Sequence, residues 1–237
     1  MTSAHQPRWS VVVVIPAHDE AVLLPSCLAS LALAAGVVAD RAVVRTVVVA
    51  DSCTDTTEAI AKAYDATVIE VAYRNVGAAR AAGVTVGLGA LGVWPSSRTW
   101  LASTDADTVV PSDWLTRQLD LADTGVTAVA GVVRVDSFSD HPTGTAQAFA
   151  ALYAGQPHVG HSHVHGANIG ARADAYQRAG GWGELHLAED HDLWRRLREV
   201  GERCMATTTL RVTTSGRALG RADGGFADLL TGLVKGT

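Results

Sequence analysis

Two carboxylates one residue apart, Asp105 and Asp107, close a stretch that otherwise reads as an apolar strand, Thr99-Trp-Leu-Ala-Ser-Thr-Asp-Ala-Asp-Thr108. Acidic residues are poor strand formers, and two this close repel each other unless a cation lies between them. Hard oxygen ligands of this kind suit Mg2+ or Mn2+, which commonly take one or two carboxylates together with substrate phosphates. The same pair also fits an ordinary turn after a strand, so the residues around it decide its meaning.

Two further polar clusters follow apolar runs: Pro16-Ala-His-Asp-Glu20 after residues 10–15, and Asp51-Ser-Cys-Thr-Asp55 after residues 42–50. In an open parallel sheet, ligands bind outside the carboxyl ends of the strands. If the three strands share an edge, the three clusters converge on one crevice. None of the clusters is a G-x-G-x-x-G or a G-x-x-x-x-G-K-[ST], so the usual dinucleotide and P-loop readings fail there. Carboxylates can still take the hydrogens of a base and a ribose, with a metal taking the diphosphate.

The elements that must position these clusters follow from the pattern. Residues 10–15, 42–50, 67–71 and 100–103 read as strands; the first two are continuous apolar runs, as in strands buried on both faces. Between them, a helix follows residue 20, with Leu24, Leu28 and Leu31 on one stripe and Gly36 as its expected stop. A second helix covers 58–64, and a small-residue helix opens at Asn75. Strand–helix alternation at these spacings means βαβ units and a mainly parallel sheet. The later part reads as helix 113–122, strand 127–135, a short helix carrying Phe149 and Tyr153, a short strand 166–171, helix 173–179 stopped by Gly180-Gly181, helix 189–199 stopped by Gly201, strand 204–213 and a helix over 226–230. There is no internal repeat and no low-complexity linker. The expectation is one domain over 1–237, with a half at about 10–110, a second at about 111–213, and a tail over 214–237.

Composition bounds the partners. The 237 residues are enough to bury a core. A formal net charge of −5 leaves no footprint for nucleic acid or an anionic membrane. The three cysteines, Cys27, Cys53 and Cys204, are scattered without a C-x-x-C, so a reducing cytoplasm is the natural home. The uncharged run 21–39 is long enough to span a bilayer, but it carries Pro25, Ser26 and Ser30 and directly follows a strand. It reads as a buried helix, and no membrane span is expected. The run His158-Val-Gly-His-Ser-His-Val-His165 holds enough imidazoles for a metal; the expectation is a loop of solvent-facing histidines, with His165 within reach of an acceptor or metal.

The order V-V-V-V-I-P-A-H-D-E, V-V-V-A-D-S-C-T-D, N-V-G-A-A-R-A-A-G, L-A-S-T-D-A-D, G-A-N-I-G-A-R, G-G-W-G-E and A-E-D-H-D-L-W-R-R-L resembles family 2 glycosyltransferases of the GT-A fold, over residues 10–212. Each motif alone is weak; seven in this order are specific. The resemblance implies an α/β, Rossmann-like, mainly parallel sheet with helices on both faces and a smaller acceptor-side half. It matches Pro16, Ala17, His18 and Glu20 to the nucleoside loop and Asp51 to the carboxylate that reads the base. Gly77 and Arg80 match the segment near the donor diphosphate, although Ala81 stands where that family commonly has Asn.

Asp105 and Asp107 match its metal motif, Asp107 ligating directly and Asp105 touching ribose or a metal-bound water. Gly166, Ala167 and Asn168 match the strand lining the sugar and acceptor pocket, and Trp182 the acceptor-side loop. Glu189-Asp190 matches the pair supplying the catalytic base, with Asp190 first. Relatives often add a metal ligand or diphosphate contact from the region after residue 212. No His stands in 213–217 here, and Arg217 and Arg221 are instead candidates to grip the diphosphate under a closing tail.

The implied activity is transfer of a sugar from a nucleoside diphosphate sugar to an acceptor hydroxyl, with Mg2+ or Mn2+ and with inversion. Two alternatives are a nucleotidyltransferase forming sugar nucleotides and a silent sugar-nucleotide-binding module. The first prefers a Gly- and Lys/Arg-rich loop after the first strand, which residues 16–20 lack.

Overall fold

Continuous β-branched runs bury both faces of a strand, and helices must then cover both. The computed structural model, which describes residues 8–185, 187–221 and 224–234, has that arrangement. In β1 (Trp9–Ala17), Val11, Val13 and Ile15 face one core while Val12 and Val14 face another. α1 (Leu24–Val37) lies on the first face through Leu24, Leu28 and Leu31. It runs past Gly36, where nothing forces a left-handed turn, and ends one residue later. β2 (Ala42–Asp51), α2 (Thr57–Ala63) and β3 (Thr67–Val71) follow.

α3 (Val76–Ala90) covers the second face at close range. A Cβ at Gly83 would meet Val14 at 2.5 Å and one at Gly87 would meet Val12 at 2.2 Å, so the small residues let the helix settle onto the sheet. β4 (Thr99–Ser103), fully buried, carries the chain to the paired carboxylates. The short β5 (Thr108–Val109) and α4 (Trp114–Asp123) come next, then β6 (Ala128–Val135) and α5 (Thr145–Tyr153). A 3-10 turn, Gly166–Asn168, leads into β7 (Ile169–Arg172), α6 (Ala173–Arg178), α7 (Glu189–Glu199), β8 (Cys204–Thr214) and α8 (Phe226–Gly232).

The eight strands form one sheet in the order β3-β2-β1-β4-β7-β6-β8-β5. β3, β2, β1 and β4 are parallel, as the alternation predicts. The second half is mixed: β7 runs antiparallel to both β4 and β6, and β5 antiparallel to β8. The short β7 and β5 carry too little pattern to reveal their direction. The reversal has a consequence: the beginning of β7, rather than its end, lies beside the end of β4, so the 166–168 turn reaches the crevice. Among the described residues no helix is long and apolar enough to cross a membrane. Of the 214–237 tail, residues 222–223 and 235–237 lie outside the described residues.

Candidate active site

The site forms where β1, β2 and β4 end, as strand ends in an open sheet dictate. The loop after β1 is fixed against the loop after β2. His18 Nδ1 lies 2.7 Å from the Asp51 carbonyl, the Glu20 N–H donates to Thr57 Oγ1 at 2.8 Å, and Asp19 turns at φ 50° with its carboxylate accepting from the Thr54 N–H. Pro16 and Ala17 are the last residues of β1, in register with Val49 and Ala50. Asp51 is buried, and its Oδ1 accepts from the N–H groups of Tyr73 and Arg74 at 2.8 and 2.9 Å. Its Oδ2 accepts from Asn75 at 3.1 Å. Asp51 therefore shapes the turn into α3, while Oδ2 keeps capacity for one more donor. Asn75 then caps α3 by accepting from Ala78 at 2.9 Å.

Arg80, matched to the segment near the donor diphosphate, lies inside a buried ion-pair network. Its guanidinium is buried and joins Asp105 at 2.6 Å to Glu189, with the Trp182 ring 5.0 Å away. Burial works against its charge, but Asp105, Glu189 and Asp190 outweigh that and hold it firmly protonated. A lone Arg amid Gly and Ala on α3 is the sequence signal for this burial, since the small neighbours let the sheet and α7 close in around it. Gly77 and Gly166 owe their identity to the same packing. A Cβ at Gly77 would meet the Gly183 carbonyl at 2.1 Å, and one at Gly166 would meet the Arg80 guanidinium at 2.4 to 2.6 Å. Trp182 is a buried packing residue beneath Arg80 rather than an open stacking face.

Asp107 sits deeper than Asp105. Burial and the adjacent Asp105 push its carboxyl up to about 7, with Arg217 pulling the other way. Its Oδ2 lies 2.9 Å from Arg217, and its Oδ1 accepts from Thr214 at 3.3 Å. The same guanidinium grips Glu20 through two bonds of 2.5 and 2.9 Å, and Arg221 approaches Glu20 at 4.0 Å. Thr57 and Thr214, which tie down Glu20 and Asp107, carry no signature in the sequence beyond being polar at strand or helix ends.

Asp190 stands in the first turn of α7, entered through Ala188 at φ 58°. Its Oδ2 accepts from the Gly166 N–H at 2.8 Å and its Oδ1 from its neighbour His191 N–H at 2.7 Å. Glu189, matched as the second base, is buried and paired with Arg80. Asn168, matched to the sugar and acceptor pocket, has its side-chain amide taken up within the fold. It is fully buried, its amide donates to the carbonyls of Val132 and Leu210 at 2.9 and 3.0 Å, and its Oδ1 accepts from Trp114 at 2.9 Å. It stitches β6, β8 and α4 together. The histidine run is not uniformly solvent-facing either: His158 is exposed, but His161 is buried and His163 and His165 are half-buried.

The parallel half-sheet continued by the antiparallel β7 into a mixed half, with a carboxylate pair just beyond the end of β4, is the layout of the GT-A class. The model of the family described as Glycosyl transferase family 2 matches residues 12–211, and the chain belongs to that family. Its fold is similar to that of a mannosyltransferase from Pyrobaculum calidifontis solved with GDP-Man and Mn2+ (TM-score 0.65, 20% identity, 91% of this chain and 59% of that one). It also resembles S. aureus TarS (0.64, 13%, 87% and 36%). A third likeness is to glucosyl-3-phosphoglycerate synthase from Mycobacterium tuberculosis, solved with Mn2+, UDP and glucosyl-3-phosphoglycerate (0.55, 18%, 95% and 76%). The chain thus spans about a third to three-fifths of the length of the first two. No curated protein matches it by sequence.

Proposed function

We propose that this chain transfers a sugar from a nucleoside diphosphate sugar to an acceptor hydroxyl, with a divalent cation and inversion at the anomeric carbon. The observation that carries the reading is the link Asp105–Arg80–Glu189, which ties the carboxylate pair at the end of β4 to the start of α7, the helix that bears Asp190. Inverting transfer needs that layout: charge neutralisation at the leaving diphosphate on one side, and a carboxylate opposite to take the hydroxyl proton. The solved Pyrobaculum and Mycobacterium proteins carry a nucleoside diphosphate group and Mn2+, which favours the same donor class here.

The residues fit a cation. Glu20 and Asp107 already share one, the Arg217 guanidinium, and Asp105 adds a third carboxylate on the same edge. Asp107 would hold Mg2+ or Mn2+, Asp105 a ribose or a metal-bound water, and the ion would stabilise the departing diphosphate as a Lewis acid. The loop of Pro16, Ala17, His18 and Glu20 forms the nucleoside wall, with Asp51 Oδ2 offered to a base N–H. Asp190, held by the Gly166 N–H, accepts the acceptor's proton. With a cation on Asp107, the Arg217 guanidinium would be available to hold the diphosphate.

The test is release of nucleoside diphosphate from a panel of UDP- and GDP-sugars, with and without Mn2+, by wild type and Asp107→Ala. Metal-dependent release lost in the variant is expected. No release from any donor, or equal release by the variant, would sink the reading. Product stereochemistry by NMR decides inversion.

A further inference from the structure

The histidine run is the one strong sequence feature that glycosyl transfer leaves unused. Its outer end is pinned to β8: Val159 bridges Thr207 in antiparallel fashion, and the Gly160 N–H donates to the Ala206 carbonyl at 2.8 Å. From there the chain runs in to Gly166. His161, His163 and His165 follow at every second residue, and their ring centroids step inward at 5.9 and 6.2 Å. Tyr153 on α5 backs the row, stacked on His163 at 4.1 Å with its hydroxyl 2.9 Å from His165 Nε2, and Phe226 on α8 closes it edge-on at 6.0 Å. The inner end abuts the proposed base, since Gly166 binds Asp190.

His161 is the anomaly. It is 4% exposed, yet neither ring nitrogen has a hydrogen-bond partner in the protein. A buried polar group left in that state is costly and calls for a partner: a water, an ion or a ligand group. A metal ion would draw several nitrogens to one point. The three rings instead step along a row, with neighbouring centroids 5.9 and 6.2 Å apart. An oxyanion needs no such convergence, because separate oxygens accept from rings spread along a row, by hydrogen bonds of ordinary length.

We infer that the row of His161, His163 and His165 binds an anionic group, phosphate or carboxylate, carried by the acceptor, whose hydroxyl is thereby presented to Asp190. The inference rests on the glycosyl-transfer reading and deepens it. Repulsion from Asp190 puts the anion at the outer, His161–His163 end and the hydroxyl at the inner end. The titratable groups facing the row are Tyr153 from α5 and Asp190 and His191 from α7. Burial holds His163 below its ordinary value, against the pull of the Leu152 carbonyl that accepts from its Nε2 at 3.1 Å. A bound anion reverses that shift.

The experiment follows the imidazole NMR signals of the full chain during titration with inorganic phosphate, glycerol, glycerol phosphate and Zn2+. Phosphate should shift His161 and His163 saturably and leave the exposed His158 unmoved. Glycerol phosphate should bind more tightly than inorganic phosphate, and glycerol alone should not bind. His163→Gln, at a half-buried ring, should weaken glycerol phosphate about tenfold without weakening nucleoside diphosphate binding; the wild-type titration stands even if the variant folds poorly. Unmoved His161 and His163 signals overturn the proposal, as does stoichiometric Zn2+ shifting all three rings where phosphate shifts none. Inorganic phosphate binding as tightly as glycerol phosphate overturns the assignment to the acceptor. Each of these failures leaves donor turnover by wild type intact, so they are separable from failure of the transfer reading.

Discussion

Arg217 stands 2.9 Å from Asp107 while gripping Glu20 through both guanidinium arms, so a residue of the tail supplies the positive charge between the ends of two strands. Removing one partner of a largely buried ion pair leaves uncompensated charge. Arg217→Ala should therefore lose about 1–3 kcal/mol, less than a fully buried pair because the side chain is partly exposed. If a divalent cation belongs between the same carboxylates, Mn2+ should raise the melting temperature of the variant more than that of wild type. Equal Mn2+ shifts in thermal unfolding would show that Arg217 and the ion do not share a place.

Arg80 joins three segments distant in sequence, and its loss strands two carboxylates at once. Arg80→Met should cost on the order of 3–5 kcal/mol in urea unfolding. Adding Glu189→Gln should restore part of that loss, because the second change removes a charge the first left unpaired. Strict additivity of the two changes would mean the pair is not energetically coupled. Arg80→Lys should also destabilise, since a single ammonium cannot reach both Asp105 and Glu189 as the planar fork does.

Adjacent acids on α7 should separate cleanly by assay. Asp190→Asn keeps an oxygen for the Gly166 N–H and should fold normally while losing about 10²–10⁴ in kcat, with donor affinity unchanged. Glu189→Gln removes the partner of a buried guanidinium, so its principal effect should be on stability. Calorimetry for folding and nucleoside diphosphate release for turnover read the two effects apart. If Glu189→Gln kept full stability but lost the turnover that Asp190→Asn retained, the assignment of the base would be reversed.

Why the sequence revealed some of this and not the rest follows from range. The strands 10–15 and 42–50 and the helix at Glu189–Glu199 are specified by local periodicity, and they form where that periodicity places them. The convergence of Asp51, Asp105 and Asp107 follows from strand ends sharing an edge. What local pattern does not carry is partnership. Glu189 and Asp190 are neighbours in sequence, and their separate duties arise only because Arg80, 109 residues away, takes Glu189. Asn168 sits in a run that resembles a pocket wall, but Trp114 and two carbonyls claim its amide. The direction of β7 escaped for the same reason, since four residues hold no signal of which neighbour they will meet.

His165 makes stability depend on pH with a definite sign. Burial lowers its ring to about 4, with Asp190 opposing. The unfolded chain therefore binds more protons than the native state between about 6.5 and 4. Its contribution is fully present above about pH 6.5 and is lost as the pH falls toward 4; by pH 5 the loss is about 2 kcal/mol. Asp107, raised to about 7, acts oppositely over an overlapping window, because there the native state holds the extra proton. The total pH profile is thus a partial cancellation, and the quantity to read is a difference. His165→Gln removes one contribution and leaves the other, so wild type minus variant should shrink by about 2 kcal/mol between pH 7.5 and pH 5 in urea unfolding. A difference that stays constant across that range would mean His165 titrates alike in the folded and unfolded chain, and that the ring beside Asp190 is not held neutral by its surroundings.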